Sequence, residues 1–192
     1  MRIIAGEFGS RRLKAVEGDH TRPTTDKIKE GIFNMLGGFF TGGCCLDFYG
    51  GSGALGIEAV SRGMDHAVIT ENYRPAQAAI QANIQTTKAT DRFSLLKGKN
   101  RAALAKYQAQ HPDLHFDLVL LDPPYHQEHL VEDIEWLLDR GVIGPKTRIV
   151  CESDAQTDLP LTVAGFDQVK DKTYGQTRIR IYQVQRGDEA ND

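Results

Sequence analysis

From Cys44 onward the chain alternates short apolar runs with stretches of helical period, and this alternation restricts the fold more than any other feature. Cys44–Phe48 reads as a strand, Ala54–Arg62 as a helix ending at Gly63, and His66–Thr70 as a second strand. Pro75–Lys88 reads as a helix with Pro75 in its first turn, where the missing N–H costs nothing. Phe93–Leu96 is then a strand and Arg101–Gln110 a helix. Phe116–Leu121 is almost continuously apolar, as a parallel strand covered on both faces must be. Leu130, Val131, Ile134, Leu137 and Leu138 mark one face of a further helix, and Arg148–Cys151 a fifth strand. Strands and helices of these lengths in turn predict a doubly wound parallel sheet.

The two ends break the pattern. Phe166–Lys170 and Thr177–Val184 flank Lys172-Thr173-Tyr174-Gly175 with no room for a helix, so they are expected to form an antiparallel pair. Ile179 and Ile181 then share one side of the second strand, with Arg178 and Arg180 on the other. A parallel sheet closed by such a hairpin departs from the dinucleotide dehydrogenase pattern. At the other end, residues 1–16 alternate loosely around Gly6, Gly9 and Ser10, which suggests a small β-hairpin or extended arm. Thr24 or Thr25 can cap a helix starting near Asp26, with Ile28, Ile32, Phe33, Met35 and Leu36 as its apolar face.

Composition removes other classes. With 192 residues, 40% of them hydrophobic, the chain can bury a core without disulfides or metal. No apolar run approaches the roughly 20 residues that span a bilayer, and the start at Met1–Glu7 lacks a signal-peptide core, so a cytoplasmic, non-membrane protein is expected. A monomer is the default at this size. Cys44, Cys45 and Cys151 form no C-x-x-C pair and read as small buried hydrophobes. The net charge of −3 does not advertise a polyanion binder, yet both ends are locally basic. Arg2, Arg11, Arg12 and Lys14 crowd the start, and Lys170, Lys172, Arg178, Arg180 and Arg186 the end. Either these are ordinary solvated faces or they form a footprint for a nucleic acid.

Two segments carry chemistry. Gly51-Ser52-Gly53-Ala54-Leu55-Gly56 follows a strand and opens a helix, the setting in which a G-x-G-x-x-G match has meaning. Glycines let the backbone approach a ligand, and the helix start favours anionic groups. Glu71, 20 residues after Gly51, closes the second strand, where a carboxylate can take hydrogen bonds from ribose hydroxyls. Together they predict a nucleoside-cofactor site without naming the cofactor. The second segment, Asp122-Pro123-Pro124-Tyr125, directly follows the apolar strand, at the sheet edge where ligands of open α/β folds bind. Two prolines fix the backbone and remove two N–H donors, so the loop offers acceptors: the Asp122 carboxylate and the neighbouring carbonyls. Tyr125 adds a flat face. Acceptors beside an aromatic platform suit a planar group with N–H donors, such as the exocyclic amine of a nucleobase. His126 and His129 follow at i, i+3 spacing but sit at a loop-to-helix boundary, so no metal site is expected, and Trp136 reads as packing.

These residues resemble a known family. Asp122-Pro123-Pro124-Tyr125 is similar to the [D/N/S]-P-P-[Y/F/W] motif of amino-group methyltransferases that use S-adenosylmethionine. Leu46–Ala59 resembles their cofactor motif, and Thr21–Glu30 with Ile32-Phe33-Asn34 narrows the likeness to the RsmD-type family of bacterial 16S rRNA guanine-N2 methyltransferases. The resemblance runs from Arg2-Ile3-Ile4-Ala5-Gly6 to Tyr174-Gly175. It implies a Rossmann-like seven-stranded methyltransferase sheet with a C-terminal antiparallel hairpin and a small N-terminal extension. Residues 1–42 would form the RNA-side extension, 43–186 the methyltransferase domain and 187–192 a disordered acidic tail. It also implies S-adenosylmethionine as cofactor, held by Asp47, Gly51, Ser52, Gly53, Glu71, Asn100 and Asp122. Catalysis would rest on Asp122, Pro123 and Tyr125. RNA, as free 16S rRNA or an assembling small subunit, would meet Arg11, Arg12, Arg22, Thr24, Arg178 and Arg180. Two departures stand out: Tyr49-Gly50 replaces the usual Phe-Ala pair, and Lys97-Gly98-Lys99-Asn100 leaves Asn100 as the residue for adenine. Rival readings are an adenine-N6 methyltransferase on DNA or RNA, a nicotinamide-dependent oxidoreductase sharing the glycine loop and Glu71, and a non-catalytic RNA-binding module.

Overall fold

A computed structural model describes residues 1–18, 24–124 and 129–185. The elements follow the expected alternation: α1 (Asp26–Met35), β1 (Cys44–Asp47), α2 (Ala54–Ser61), β2 (His66–Glu71), α3 (Arg74–Thr87), β3 (Phe93–Lys97), α4 (Asn100–Gln110), β4 (Leu118–Leu121), α5 (Leu130–Asp139) and β5 (Arg148–Asp154). Then come β6 (Thr162–Val163), β7 (Phe166–Tyr174) and β8 (Thr177–Gln183). One sheet holds all eight strands in the order β3-β2-β1-β4-β5-β8-β7-β6. The first five run parallel, and β8 and β7 close the sheet antiparallel. The extra strand relative to the expected seven is β6, two residues long and paired to the start of β7. It returns through Ala164 (φ 51°) and Gly165 (φ 86°), both left-handed as a tight hairpin turn requires. Two residues are too few for a periodicity to reveal them.

Side chains alternate across the sheet into two cores. Cys45, Leu118, Leu120, Val150, Ile179 and Ile181 face the layer built from α1, α2 and α3. Leu46, Val119, Leu121, Ile149, Cys151 and Tyr182 face the layer of α5 and Leu104 of α4. The sheet is thus covered on both sides, which is why its strands read as unbroken apolar runs. Among the described residues no helix is long and apolar enough to cross a membrane. The cysteines lie as expected: Cys45 and Cys151 are buried and Cys44 partly so, and burial raises all three thiols above their ordinary values.

The N-terminal segment is part of the core. Its strand character shrinks to a single bridge between Arg2 and Arg12, but Ile3, Phe8 and Leu13 are buried against α1 and α2, each contributing about 2 kcal/mol by burial. The buried Glu58 carboxylate accepts from the N–H groups of Ile4 and Ala5 and pairs with Arg62. Asn83 accepts from Lys14 N–H and donates to Lys14 carbonyl, fastening the segment to α3. Gly6 (φ +87°) passes so close to α2 that a Cβ would sit 1.9 Å from the Ser61 carbonyl oxygen, so only glycine fits. Thr25 caps α1 by accepting from Ile28 N–H at 3.2 Å, which leaves Thr24 free for another task.

Candidate active site

β1 lies between β2 and β4, so the loops after these three strands share one edge of the sheet. On the β2 side the glycine loop is held by Glu71. One oxygen accepts from Gly51 N–H at 2.8 Å, and the other from Asn72 and Tyr73 N–H, each at 2.9 Å. Gly51 (φ +59°) has nothing within 4 Å of where a Cβ would stand, so its outer side is open. Gly50 explains one departure from the family pattern: a Cβ there would meet Ile69 at 2.7 Å and Ile80 at 2.9 Å, so this packing demands glycine. An open groove of about 700 Å³ starts beside Glu71 and is lined by Asn72, Arg74, Gln77 and Lys97.

Asp47 lies beneath the loop, fully buried. Its Oδ2 accepts from Gly56 N–H at 3.0 Å, while Oδ1 has no hydrogen-bond partner among the described residues. Burial pushes this carboxyl well above its ordinary range, with the nearby charges of Asp122 and Glu71 adding to the rise. Ser52 gives its carbonyl to Asn83, which ties the loop to α3. Asn100 opens α4, with its amide 3.4 Å from the Phe48 carbonyl oxygen and its Oδ1 accepting from Arg101 N–H. The other departure, Tyr49, turns toward α5: its hydroxyl bonds Asp133, which Arg101 also holds at 3.0 Å. Trp136 packs as expected, stacked on Phe48. The open face of Gly51, the orphaned Asp47 oxygen and the Glu71 carboxylate form a donor-and-acceptor set that fits the amino-acid and ribose ends of a nucleoside cofactor.

On the β4 side the loop opens with Asp122, partly buried, and Pro123, buried. Register brings Leu121 of β4 opposite Cys151 of β5, so the residues that follow, Asp122 and Glu152, are neighbours. Thr24 stands between them, its Oγ 3.2 Å from Asp122 Oδ2 and 3.3 Å from Glu152 Oε2. The two carboxyl groups thus share one hydroxyl, and the charge of Asp122 opposes that of Glu152. Desolvation raises Asp122 to about 6 and, joined by the Asp122 charge, raises Glu152 well above the ordinary carboxylate value. Glu152 is the site residue that the sequence reading missed. It was hidden because the fifth strand was expected to stop at Cys151, whereas pairing with β8 carries β5 on to Asp154.

The other expected site residues scatter. Tyr125 and Arg22 lie outside the described residues, as do His126 and the 187–192 tail. Among the described residues no cluster of metal-ligating side chains forms. Arg12 is exposed, while Arg11 is partly buried and donates to the Thr86 and Thr87 carbonyls at the end of α3. Arg178 is paired with Asp171 on β7. Arg180 is a correction: its side chain is 1% exposed and bonds Ser153 Oγ and the Thr157 carbonyl, so it offers no surface to RNA. The reason is topological. β8 lies between β5 and β7 instead of at an edge, and the segment after β5 covers the face that Arg180 shares with Tyr182.

A solved structure from Streptococcus mutans only 12% identical to this chain superposes with a TM-score of 0.64 over 82% of this chain and 49% of that one, and the fold is that of class I methyltransferases. Sequence narrows this further. The family described as Conserved hypothetical protein 95 matches residues 1–183. Ribosomal RNA small subunit methyltransferase D of Escherichia coli (strain K12) is 32% identical over 191 residues, covering 100% of this chain and 93% of that one. A conserved hypothetical protein of Streptococcus pyogenes is 44% identical, covers 80% of this chain and 93% of its own, and has a TM-score of 0.73. The solved structure of yhhF from Escherichia coli is 31% identical over 96% of this chain and 97% of that one, with a TM-score of 0.81. The chain belongs to this RsmD-type methyltransferase family.

Proposed function

We propose that this chain is an rRNA methyltransferase that uses S-adenosylmethionine to methylate the exocyclic N2 amine of a guanine in 16S rRNA, acting as a cytoplasmic monomer on free RNA or an assembling small subunit. The observation that carries the reading is the shared sheet edge: the Glu71-held glycine loop after β1 adjoins an acceptor loop, Asp122-Pro123, after β4. The name of the Escherichia coli relative supports the RNA substrate.

Glu71, the Gly51–Gly53 backbone and Asp47 are the groups that would hold the cofactor, with Asn100 toward the adenine. When bound, it supplies a methyl group activated by a sulfonium centre. The remaining work falls to the protein. A guanine N2 lone pair is delocalised into the ring and is a weak nucleophile. The Asp122 carboxylate and the Pro123 carbonyl accept the two N–H bonds of the amine and draw that lone pair toward the methyl donor. Pro123 and Pro124 stiffen the loop, so the geometry is set before reaction and acceleration comes from positioning and fixed dipoles. The methylated amine is acidic and loses its proton readily, so Asp122 need not remove it beforehand. Tyr125 stacks on the base, which must arrive unpaired, from a loop or by flipping.

The test is transfer of labelled methyl to naked 16S rRNA, partly assembled small subunits and duplex DNA, followed by digestion to nucleosides. Label in N2-methylguanosine is expected. Label in N6-methyladenosine would replace the guanine reading with its adenine rival.

A further inference from the structure

The carboxyl of Glu152 has no part in the mechanism above, yet its position is costly. It sits one residue past the Leu121–Cys151 register pair, beside Asp122, and both share the single hydroxyl of Thr24. No ion pair to either carboxyl forms among the described residues. Two partly buried carboxyls held together without a cation destabilise a fold, and burial raises both above their ordinary values. What such a pair offers, once ionised, is acceptors alone: two adjacent oxygen sets at the mouth of one loop, and no donor.

We propose that Glu152 determines base specificity, its carboxylate accepting the ring N1–H of the target guanine while Asp122 accepts the N2 amine. This rests on the guanine-N2 reading above. Guanine is the base whose Watson–Crick edge places a ring N–H beside an exocyclic amine, so two neighbouring donors meet two neighbouring acceptors. Adenine and cytosine carry a bare ring nitrogen beside the amine, and its lone pair would face the lone pairs of Glu152. A site built around a hydrogen bond rejects an analogue that lacks the donor strongly, because the buried group is left unpaired. Burial favours the protonated form of both carboxyls in the free site; guanine binding releases that proton to solvent, and the N1–H donor takes its place.

The experiment compares the small-subunit RNA with the same RNA carrying 2-aminopurine at the methylated position. That base keeps the 2-amine but has a bare N1. Wild-type protein is expected to use guanine with a kcat/KM at least about 100-fold above 2-aminopurine. Glu152→Gln places an amide N–H toward N1 and is expected to narrow the ratio to within about tenfold. Glu152→Asp, which keeps the acceptor, retains the guanine preference. S-adenosylmethionine affinity stays within about twofold in both variants, which separates a base-reading role from general damage to the fold. A wild-type protein that uses 2-aminopurine as well as guanine overturns the inference, as does a Glu152→Gln ratio equal to that of wild type, and in either case the guanine-N2 reading stands. Absence of methyl on guanine N2 with wild-type protein overturns that reading and this inference with it.

Discussion

The two sides of the sheet edge are built from the same kind of residue with opposite treatment. At the end of β2, Glu71 is satisfied: three main-chain N–H groups point at its two oxygens. At the ends of β4 and β5, Asp122 and Glu152 share one hydroxyl, and burial raises both above the ordinary carboxylate value. A carboxylate neutralised by fixed backbone dipoles holds its shape whether or not a ligand is present. A carboxyl pair that shares one hydroxyl among the described residues keeps acceptor sites for a ligand that brings N–H donors. The comparison separates a cradle from a reactive acceptor, although both sides present acids to the same space.

Mutation on either side can break that comparison. The largest effect is expected from Asp122→Ala, which removes an acceptor used in the transition state: turnover at saturating S-adenosylmethionine falls by about 10³-fold or more, a larger loss than that in cofactor affinity. Methyl transfer alongside calorimetric titration reads both quantities, and unchanged turnover sinks the role given to Asp122. Glu71→Ala should do the reverse. Losing a charged acceptor costs about 1.5–3 kcal/mol, so cofactor affinity drops by about 10- to 100-fold, with turnover at saturating cofactor much less affected.

A smaller effect concerns pH. Among the described residues the groups that face Asp122 are Glu152 and Thr24, with Asp47 close by. Because the folded-state values of Asp122 and Glu152 are raised, the native protein holds protons that the unfolded chain releases. Their stabilising contribution is complete below about pH 4 and is lost as pH rises through about 6 and beyond. Two results follow. The rate constant kcat/KM climbs with pH through about 6 as Asp122 ionises. Glu152→Gln raises Tm by a few degrees at pH 8 and by less at pH 4.5. A Tm that falls at pH 8 would mean that the pair is not strained.

The smallest effect separates the two basic ends. Arg12→Gln is expected to lower the salt slope of RNA binding by about 1, since an exposed cation releases roughly one counterion. Arg180→Gln, at a buried cation, should leave the slope alone and lower Tm. A flattened slope for Arg180→Gln would put that side chain back on the RNA surface.

How much of this was legible in the sequence depended on whether a feature was local. The alternation from Cys44 to Cys151, the glycine loop, Glu71 and Asp122-Pro123 are each encoded within a few adjacent residues, and each took its expected place. Glu152 and Thr24 were harder because their meaning is contact. They lie 128 positions apart, and register and strand extension alone bring them together. Arg180 misled for a related reason. Its alternation with Ile179 and Ile181 is real, but alternation does not say whether the far face meets water or another layer. The N-terminal arm showed its alternation in sequence but gave no sign that Ile3, Phe8 and Leu13 complete the core over α2.

The most direct measurement is a crystal structure with S-adenosylhomocysteine bound. The division of the edge predicts ribose hydroxyls within hydrogen-bond distance of Glu71 and the sulfur turned toward Asp122, with the Asp122–Glu152 pair left free for the base. A ligand seated elsewhere, leaving Glu71 bonded to backbone alone, or one lying across Asp122 and Glu152, would contradict it.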